Sequence, residues 1–251
     1  MKNIETSWES VASWYDKLYT HEDSYQKKVI LPNLLRMMEI QKTDTILDIA
    51  CGQGFFAGAF VVAGGEVVWG NDVSPSLIKR AEKAVPKGKF FVAPGDDLSF
   101  AQNTMFSKIT IILALQNIQK LNETLKEAAR VLKKGGKLYV VLNHPAFRIP
   151  KRSEWGFDEK NKIQYRRLDG YMSERSEKIM MHPGKAKNPT TITFHRPLQV
   201  YFKSFRAAGF SVVRLEEWVS HKKSEKGPRA KEEDTARKEF PLFMAFELAL
   251  R

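Results

Sequence analysis

The sequence predicts an α/β protein built on a doubly wound, parallel sheet with helices on both faces. Three observations carry this. Short, near-continuous apolar runs alternate with helical stretches between residues 45 and 142. Runs of that kind mark strands buried on both faces, which parallel sheets require. The first run stops in a glycine-rich turn, Asp48-Ile49-Ala50-Cys51-Gly52-Gln53-Gly54, directly before a helix. The alternation is lost from Asn143 to Arg196 and resumes at Pro197, the pattern of a fold interrupted by an insertion.

Element by element, the chain opens with two helices. Trp8, Val11, Ala12, Tyr15 and Leu18 recur at helical spacing over Glu5 to Tyr19. Val29, Ile30, Leu34, Leu35 and Met38 do so over Ser24 to Met38, where Pro32 either bends the helix or marks its start. Thr45 to Ile49 is the first strand, and Phe55 to Val62 the helix after the glycine turn, ended by Gly64-Gly65. Glu66 to Asn71 is the second strand and ends in Asp72. Ser74-Pro75 supplies an N-cap and first-turn proline for a helix to Ala84. Lys89 to Val92 and Ile109 to Leu113 are the next strands. Asn122 to Leu132 is a helix with Gly135-Gly136 as its stop, and Lys137 to Leu142 is the fifth strand. Inside the insertion, Ile163 to Arg166 and Thr191 to Phe194 are short β-like pieces. A helix over Pro197 to Ala208, a strand over Phe210 to Trp218, a charged loop over Ser220 to Glu239 and a strand over Phe240 to Leu250 complete the chain. The division that follows is 1–142, 143–196 and 197–251.

Composition narrows the function classes. At 251 residues and 43% hydrophobic content, the chain is long enough for one large domain with a sizeable core. A single cysteine, Cys51, excludes an internal disulfide framework and a cysteine-rich zinc site, and no metal is expected. A reducing, cytoplasmic setting fits. The polar start MKNIETSWES has no signal-peptide core, and no apolar stretch is long enough to span a bilayer. Lys and Arg outnumber Asp and Glu by 41 to 29, a formal charge of +12 spread along the chain without long basic runs. That balance suits an acidic substrate or nucleic acid, or simply a solvated surface.

The glycine turn admits two ligands. Gly52-Gln53-Gly54-Phe55-Phe56-Ala57 fits the dinucleotide pattern G-x-G-x-x-G/A, and Asp72 stands twenty positions after Gly52, where an acid binds ribose hydroxyls. Asp48, four positions before Gly52, argues against a pyrophosphate, which it would repel. It suits a ligand with an ammonium group. An adenosyl ligand with an amino-acid tail satisfies both aspartates. Cys51 has no neighbouring base in sequence and reads as a packed turn residue.

The turn from Asp48 to Gly54, the step Asp72-Val73-Ser74 and the segment Ala129-Arg130-Val131-Leu132-Lys133-Lys134-Gly135-Gly136-Lys137-Leu138 together resemble the class I S-adenosylmethionine-dependent methyltransferases. Lys134 stands where that family usually has proline. The resemblance covers residues 8–142 and, loosely, the final strands. It implies a Rossmann-like, seven-stranded, mostly parallel sheet whose last strand is antiparallel, with S-adenosyl-L-methionine as cofactor and S-adenosyl-L-homocysteine as product. Carried over residue by residue, the cofactor set is Tyr15, beside Trp14 in an aromatic pair, Asp48, Ala50, Gly52, Gln53, Gly54, Asp72, Val73, Asp96, Asp97, Leu98, Ala114 and Leu115. Pro94 occupies the place where the family's adenine-binding acid is common, so Asp96 or Asp97 is expected to substitute.

Acceptors in open α/β sheets bind at the carboxyl ends of the strands. The fifth strand runs out at Asn143-His144, and His144 has the side chain to take a proton near neutral pH. His144 is therefore the expected catalytic base. Asn143, Arg148, His195 and Arg196 are the expected acceptor contacts. The insertion, rich in aromatics and arginines (Trp155, Phe157, Tyr165, Arg152, Arg166 and Arg167 among them, with His182), is expected to form a lid over the acceptor pocket. The Asn-Pro-Pro-aromatic motif of amino methyltransferases is absent after the fourth strand. The favoured reading is a methyltransferase acting on a small molecule. The alternatives are an RNA methyltransferase and a non-catalytic protein that binds an adenosyl ligand.

Overall fold

The structure, a computed structural model, describes residues 21–180 and 190–251. The helix expected over Glu5 to Tyr19, with Trp14 and Tyr15, lies outside these residues, as does His182. A π-helical turn, Gln26–Ile30, runs directly into α1, Leu31–Met38, with Pro32 in its first turn. Pro32 thus lies within a continuous helical run, and the wider π-turn just before it, where the Leu31 amide donates to the Gln26 carbonyl, is the local irregularity that accompanies the missing N–H.

The central sheet is built from β1 (Thr45–Ile49), β2 (Val67–Asp72), β3 (Lys89–Val92), β4 (Phe106–Ile112), β5 (Leu132–Asn143), β10 (Phe210–Trp218) and β11 (Phe243–Leu250). Its order is β10-β11-β5-β4-β1-β2-β3. The contacts from β5 to β3 are parallel, and β11 runs antiparallel to both β5 and β10. The last strand is thus antiparallel and internal.

Alternation along each strand supplies two cores. Leu47, Ile49, Ile109, Ile111, Val140 and Leu142 face α4 (Leu121–Val131) and α5 (Leu198–Ala207). Ile46, Val68, Ile112 and Val141 face α1, α2 (Phe55–Val62) and α3 (Pro75–Ala84). Each fully buried aliphatic side chain contributes roughly 1.5–3 kcal/mol. Among the described residues, no helix is long and apolar enough to cross a membrane.

Three expectations change. Gly135-Gly136 do not stop the helix: α4 ends at Val131, and β5 begins at once at Leu132. The register against β4 jumps from Phe106↔Leu132 to Lys108↔Lys137, so residues 133–136 bulge from the strand. The stretch over Ser220 to Glu239 contains α6, Ala230–Glu239, rather than only loop. The insertion forms two antiparallel ribbons, β6 (Ser153–Asp158) with β7 (Ile163–Leu168) and β8 (Arg175–Met180) with β9 (Thr190–His195). Neither ribbon joins the central sheet.

Candidate active site at the carboxyl ends of the strands

The strand–turn–helix from β1 to α2 folds as its glycines dictate. Ala50, Gly52 and Gly54 have φ of 58°, 57° and 81°. Ala50 adopts that left-handed conformation at a cost of about 1 kcal/mol, a strain of the sort that gathers where backbone must approach a ligand. Gly54 leaves no room for a side chain: a Cβ there would sit 3.0 Å from the Cβ of Ala81 in α3. It is also the N-cap of α2, with no side-chain cap, so the first N–H groups of the helix face the turn.

Asp48 stands at the end of β1, fully enclosed. One carboxylate oxygen accepts from the Thr110 hydroxyl on β4 at 2.7 Å. The other, Oδ2, is buried and has no hydrogen-bond partner among the described residues. Burial pushes this carboxyl up to about 7, against the Thr110 hydrogen bond and with help from the nearby Asp72 charge. Asp72, at the end of the neighbouring strand, braces the turn: its two oxygens accept from the Gly52 and Ser74 amides, each at 3.0 Å. Gln53 stands between the two glycines of the turn, and Val73 is 46% exposed beside it. Cys51 is packed against Gly70, and burial first, then the charges of Asp48 and Asp72, push its thiol well up. A thiol so placed stays protonated and inert.

After β3 the expected contacts separate. Asp96 pairs with Lys120 at 2.6 Å, and Asp97 accepts from the Ser99 amide at 3.1 Å. Leu98 is buried in the core, and its amide donates to Glu127 at 2.9 Å. Its amide is thereby engaged with α4. After β4, Leu113 has a φ of 54° and leads through Ala114 into a 3-10 turn, Leu115–Asn117. That turn stands on the same sheet edge as the glycine turn, since β4 lies next to β1.

His144 is placed differently from a base. Its ring is 3% exposed. Nδ1 accepts from the Ala146 and Phe147 amides, each at 3.2 Å, and Nε2 lies 2.7 Å from a Glu217 oxygen. An imidazole that accepts at Nδ1 must carry its proton on Nε2 and donate it to Glu217. No lone pair is left for a substrate proton. Burial lowers its pKa, with Glu217 acting against that. In this arrangement the residue braces the loop after β5.

Two of the four expected acceptor contacts come together. Arg148 donates to Asn143 Oδ1 at 2.6 Å, and Arg148 lines a cleft of about 240 Å³. His195 and Arg196 do not line it. His195 donates to the Tyr171 carbonyl at 2.7 Å. Arg196 is buried and donates to the carbonyls of Leu115, Ile118 and Gln119. Arg196 fastens the end of the insertion to the turn after β4, and His195 ties it to Tyr171 within the insertion. Tyr25, Arg237 and Phe240, which also line the cleft, escape the sequence reading because they come from segments read as a plain helix, a charged loop and a strand. No local spacing marks them.

Comparison with known proteins bears on the family and the fold. A family model described as "Methyltransferase domain" matches residues 47–140. A demethylmenaquinone methyltransferase of Chlorobaculum parvum is 29% identical over 143 residues, 55% of this chain and 59% of that protein. A ubiquinone/menaquinone biosynthesis C-methyltransferase of Sinorhizobium fredii is 38% identical over 104 residues, 38% of this chain and 40% of its own length. The chain thus spans well under two thirds of these curated relatives. The crystal structure of an S-adenosylmethionine-dependent methyltransferase from Mesorhizobium loti has the same fold, with a TM-score of 0.67 at 21% identity, over 86% of this chain and 95% of that one.

Proposed function

Because the chain belongs to the class I S-adenosylmethionine-dependent methyltransferase family, we propose that it transfers the methyl group of S-adenosylmethionine to a small-molecule acceptor. The observation that supports this most is the Asp48 carboxylate. A buried acid oxygen with no hydrogen-bond partner among the described residues, beside a glycine turn, is costly when ionised unless a cation arrives. The ammonium of an amino-acid tail is such a cation, and a pyrophosphate is not. The residues present therefore fit the cofactor.

In this reading Asp48 holds the ammonium and Asp72, with Val73 beside it, the ribose. The Ala50–Gly54 backbone lies along the ligand. Ala114 and Leu115 flank it from β4, and Asp96 or Asp97 takes the adenine end. When bound, the sulfonium supplies an activated methyl carbon, leaving S-adenosylhomocysteine as product. The chain contributes alignment of the acceptor in line with that carbon and exclusion of water, which can supply much of the barrier reduction without a base. The insertion over 143–196 forms a wall of the acceptor site. By the names of the relatives, a demethylated quinone ring is one candidate acceptor.

Isothermal calorimetry with S-adenosylhomocysteine tests the reading. Binding is expected, and Asp72→Ala should weaken it by about tenfold or more. Asp72→Asn keeps one of the two acceptors that brace the turn; weakened binding at an unchanged melting temperature would assign the loss to the ligand contact and not to the loop. Tight binding of a nicotinamide dinucleotide, with none of the adenosyl ligand, would sink it.

A further inference from the structure

The cleft noted above opens where the exit of β5, the β6–β7 ribbon and the end of α6 meet. Phe147, Trp155 and Phe240 form its apolar walls. The Phe240 ring stands edge-on to both others, with centroids 5.4 and 5.3 Å apart. Arg148, Arg166 and Arg237 reach the same cleft from three separate segments.

The arginines are held in place, and two of them, Arg148 and Arg166, have no ion-pair partner among the described residues. Arg166 donates to the Phe147 carbonyl at 3.0 Å and to the Ser153 hydroxyl at 2.8 Å, and its guanidinium lies 5.0 Å from the centre of the Trp155 ring. Arg148 is fixed by Asn143 and lies 5.5 Å from the Phe243 ring. Among the described residues, neither has a carboxylate within ion-pair distance. Arg237 has only a long pair to Asp234, at 3.9 Å. Gathering three cations in one aromatic cleft is unfavourable in the empty protein. An anion entering it would relieve that repulsion, and guanidinium forks bind carboxylate and phosphate with two parallel hydrogen bonds.

The location ties the cleft to the methyl-transfer site. Asn143 ends β5, two strands from β1, and its side chain holds Arg148, so the cleft opens on the same sheet edge as the glycine turn, on the β11 side. At about 240 Å³ the cleft is smaller than a typical ligand pocket and admits a ligand of only one or two rings.

We infer that this cleft takes a methyl acceptor whose flat ring carries an anionic group, a carboxylate or a phosphate. The inference rests on the methyl-transfer reading for its word "acceptor", but the binding it asserts is measurable alone. The full chain is titrated by calorimetry with 1-naphthoate, 1-naphthyl phosphate and the neutral 1-naphthylmethanol. Both anions, or one of them, should bind at least about tenfold more tightly than the alcohol, and the tighter of the two identifies the group. Arg148→Met should remove that preference and leave S-adenosylhomocysteine binding intact. Arg148→Lys, which keeps the charge but loses the fork, should fall between. Equal binding of the alcohol, or an unchanged preference in Arg148→Met, overturns the inference. So does binding of a single-stranded RNA oligonucleotide that depends on Arg148 while both naphthyl anions fail. If the anions bind and S-adenosylhomocysteine does not, the cleft stands and the cofactor reading falls; the reverse result removes the cleft alone.

Discussion

Asp48 sets a conflict between stability and binding. In an unfolded chain its carboxyl titrates near 4. In the folded chain, burial pushes it up to about 7. The native state therefore holds a proton that the unfolded state has released, so stability falls as pH rises between about 4 and 7. Asp48→Asn keeps the bond to Thr110 and removes the charge. It should melt several degrees higher than the parent at pH 8, with little difference at pH 4, while S-adenosylhomocysteine binding weakens about tenfold or more. Thermal scans at the two pH values and calorimetry check this; a variant less stable at pH 8 counts against it. His144 works in the opposite sense. Burial first, opposed by Glu217, holds its pKa below the usual histidine value. Its contribution is present above about pH 6.5 and declines as pH falls below that through the lowered folded value. His144→Ala strands the Ala146 and Phe147 amides and should lower unfolding stability by about 2 kcal/mol. Denaturant titration measures that loss. A variant as stable as the parent, with only turnover reduced, would restore the base role.

At the level of elements, the bulge in β5 is the clearest case of a residue type read correctly and placed wrongly. Gly135 and Gly136 signal a break, and a helix stop is the commoner use of such a pair. Here α4 runs into β5 with no loop, and the break is made inside the strand. A Cβ on Gly136 would lie 2.8 Å from the Ser107 carbonyl and 2.9 Å from the Lys133 carbonyl, both backbone. Gly136→Ala should therefore cost roughly 1–3 kcal/mol, since neither atom moves without shifting a strand. A melting temperature equal to the parent's would mean the bulge relaxes freely. The missed helix α6 has a different cause. Only Ala236 of its ten residues is buried, so Ala230–Glu239 shows no apolar period to read. Acids in its first turn and bases in its last complement the helix dipole, the one sequence signal it carries. The ribbons β6–β7 and β8–β9 were half visible: β7 and β9 are rich in β-branched and aromatic residues, whereas Gly156 interrupts β6 and β8 begins with four polar residues.

For the whole molecule, legibility follows distance along the chain. The glycine turn, Asp48 and Asp72 lie within 25 consecutive residues of one strand–turn–helix–strand unit, so spacing alone places them together. The anion cleft is assembled from residues 25, 147–166, 220 and 237–242, and no spacing in the sequence announces it. The same separation governs the sheet. β10 touches the rest of the sheet only through β11, and β5 gains its second neighbour only from β11. During synthesis, then, β10 emerges before the strand that attaches it, and until residues 243–250 arrive β5 presents an open edge lined with buried-type side chains. An unpaired apolar edge of that kind invites pairing with other chains. A chain stopped after Leu242 should accordingly collect in the insoluble fraction, while the full chain does not. A soluble, cooperatively melting product would show that the parallel half stands alone. If it does not, the last eight strand residues act as a clasp on the growing polypeptide, and the interval before they leave the ribosome is when this protein is most exposed to misassembly.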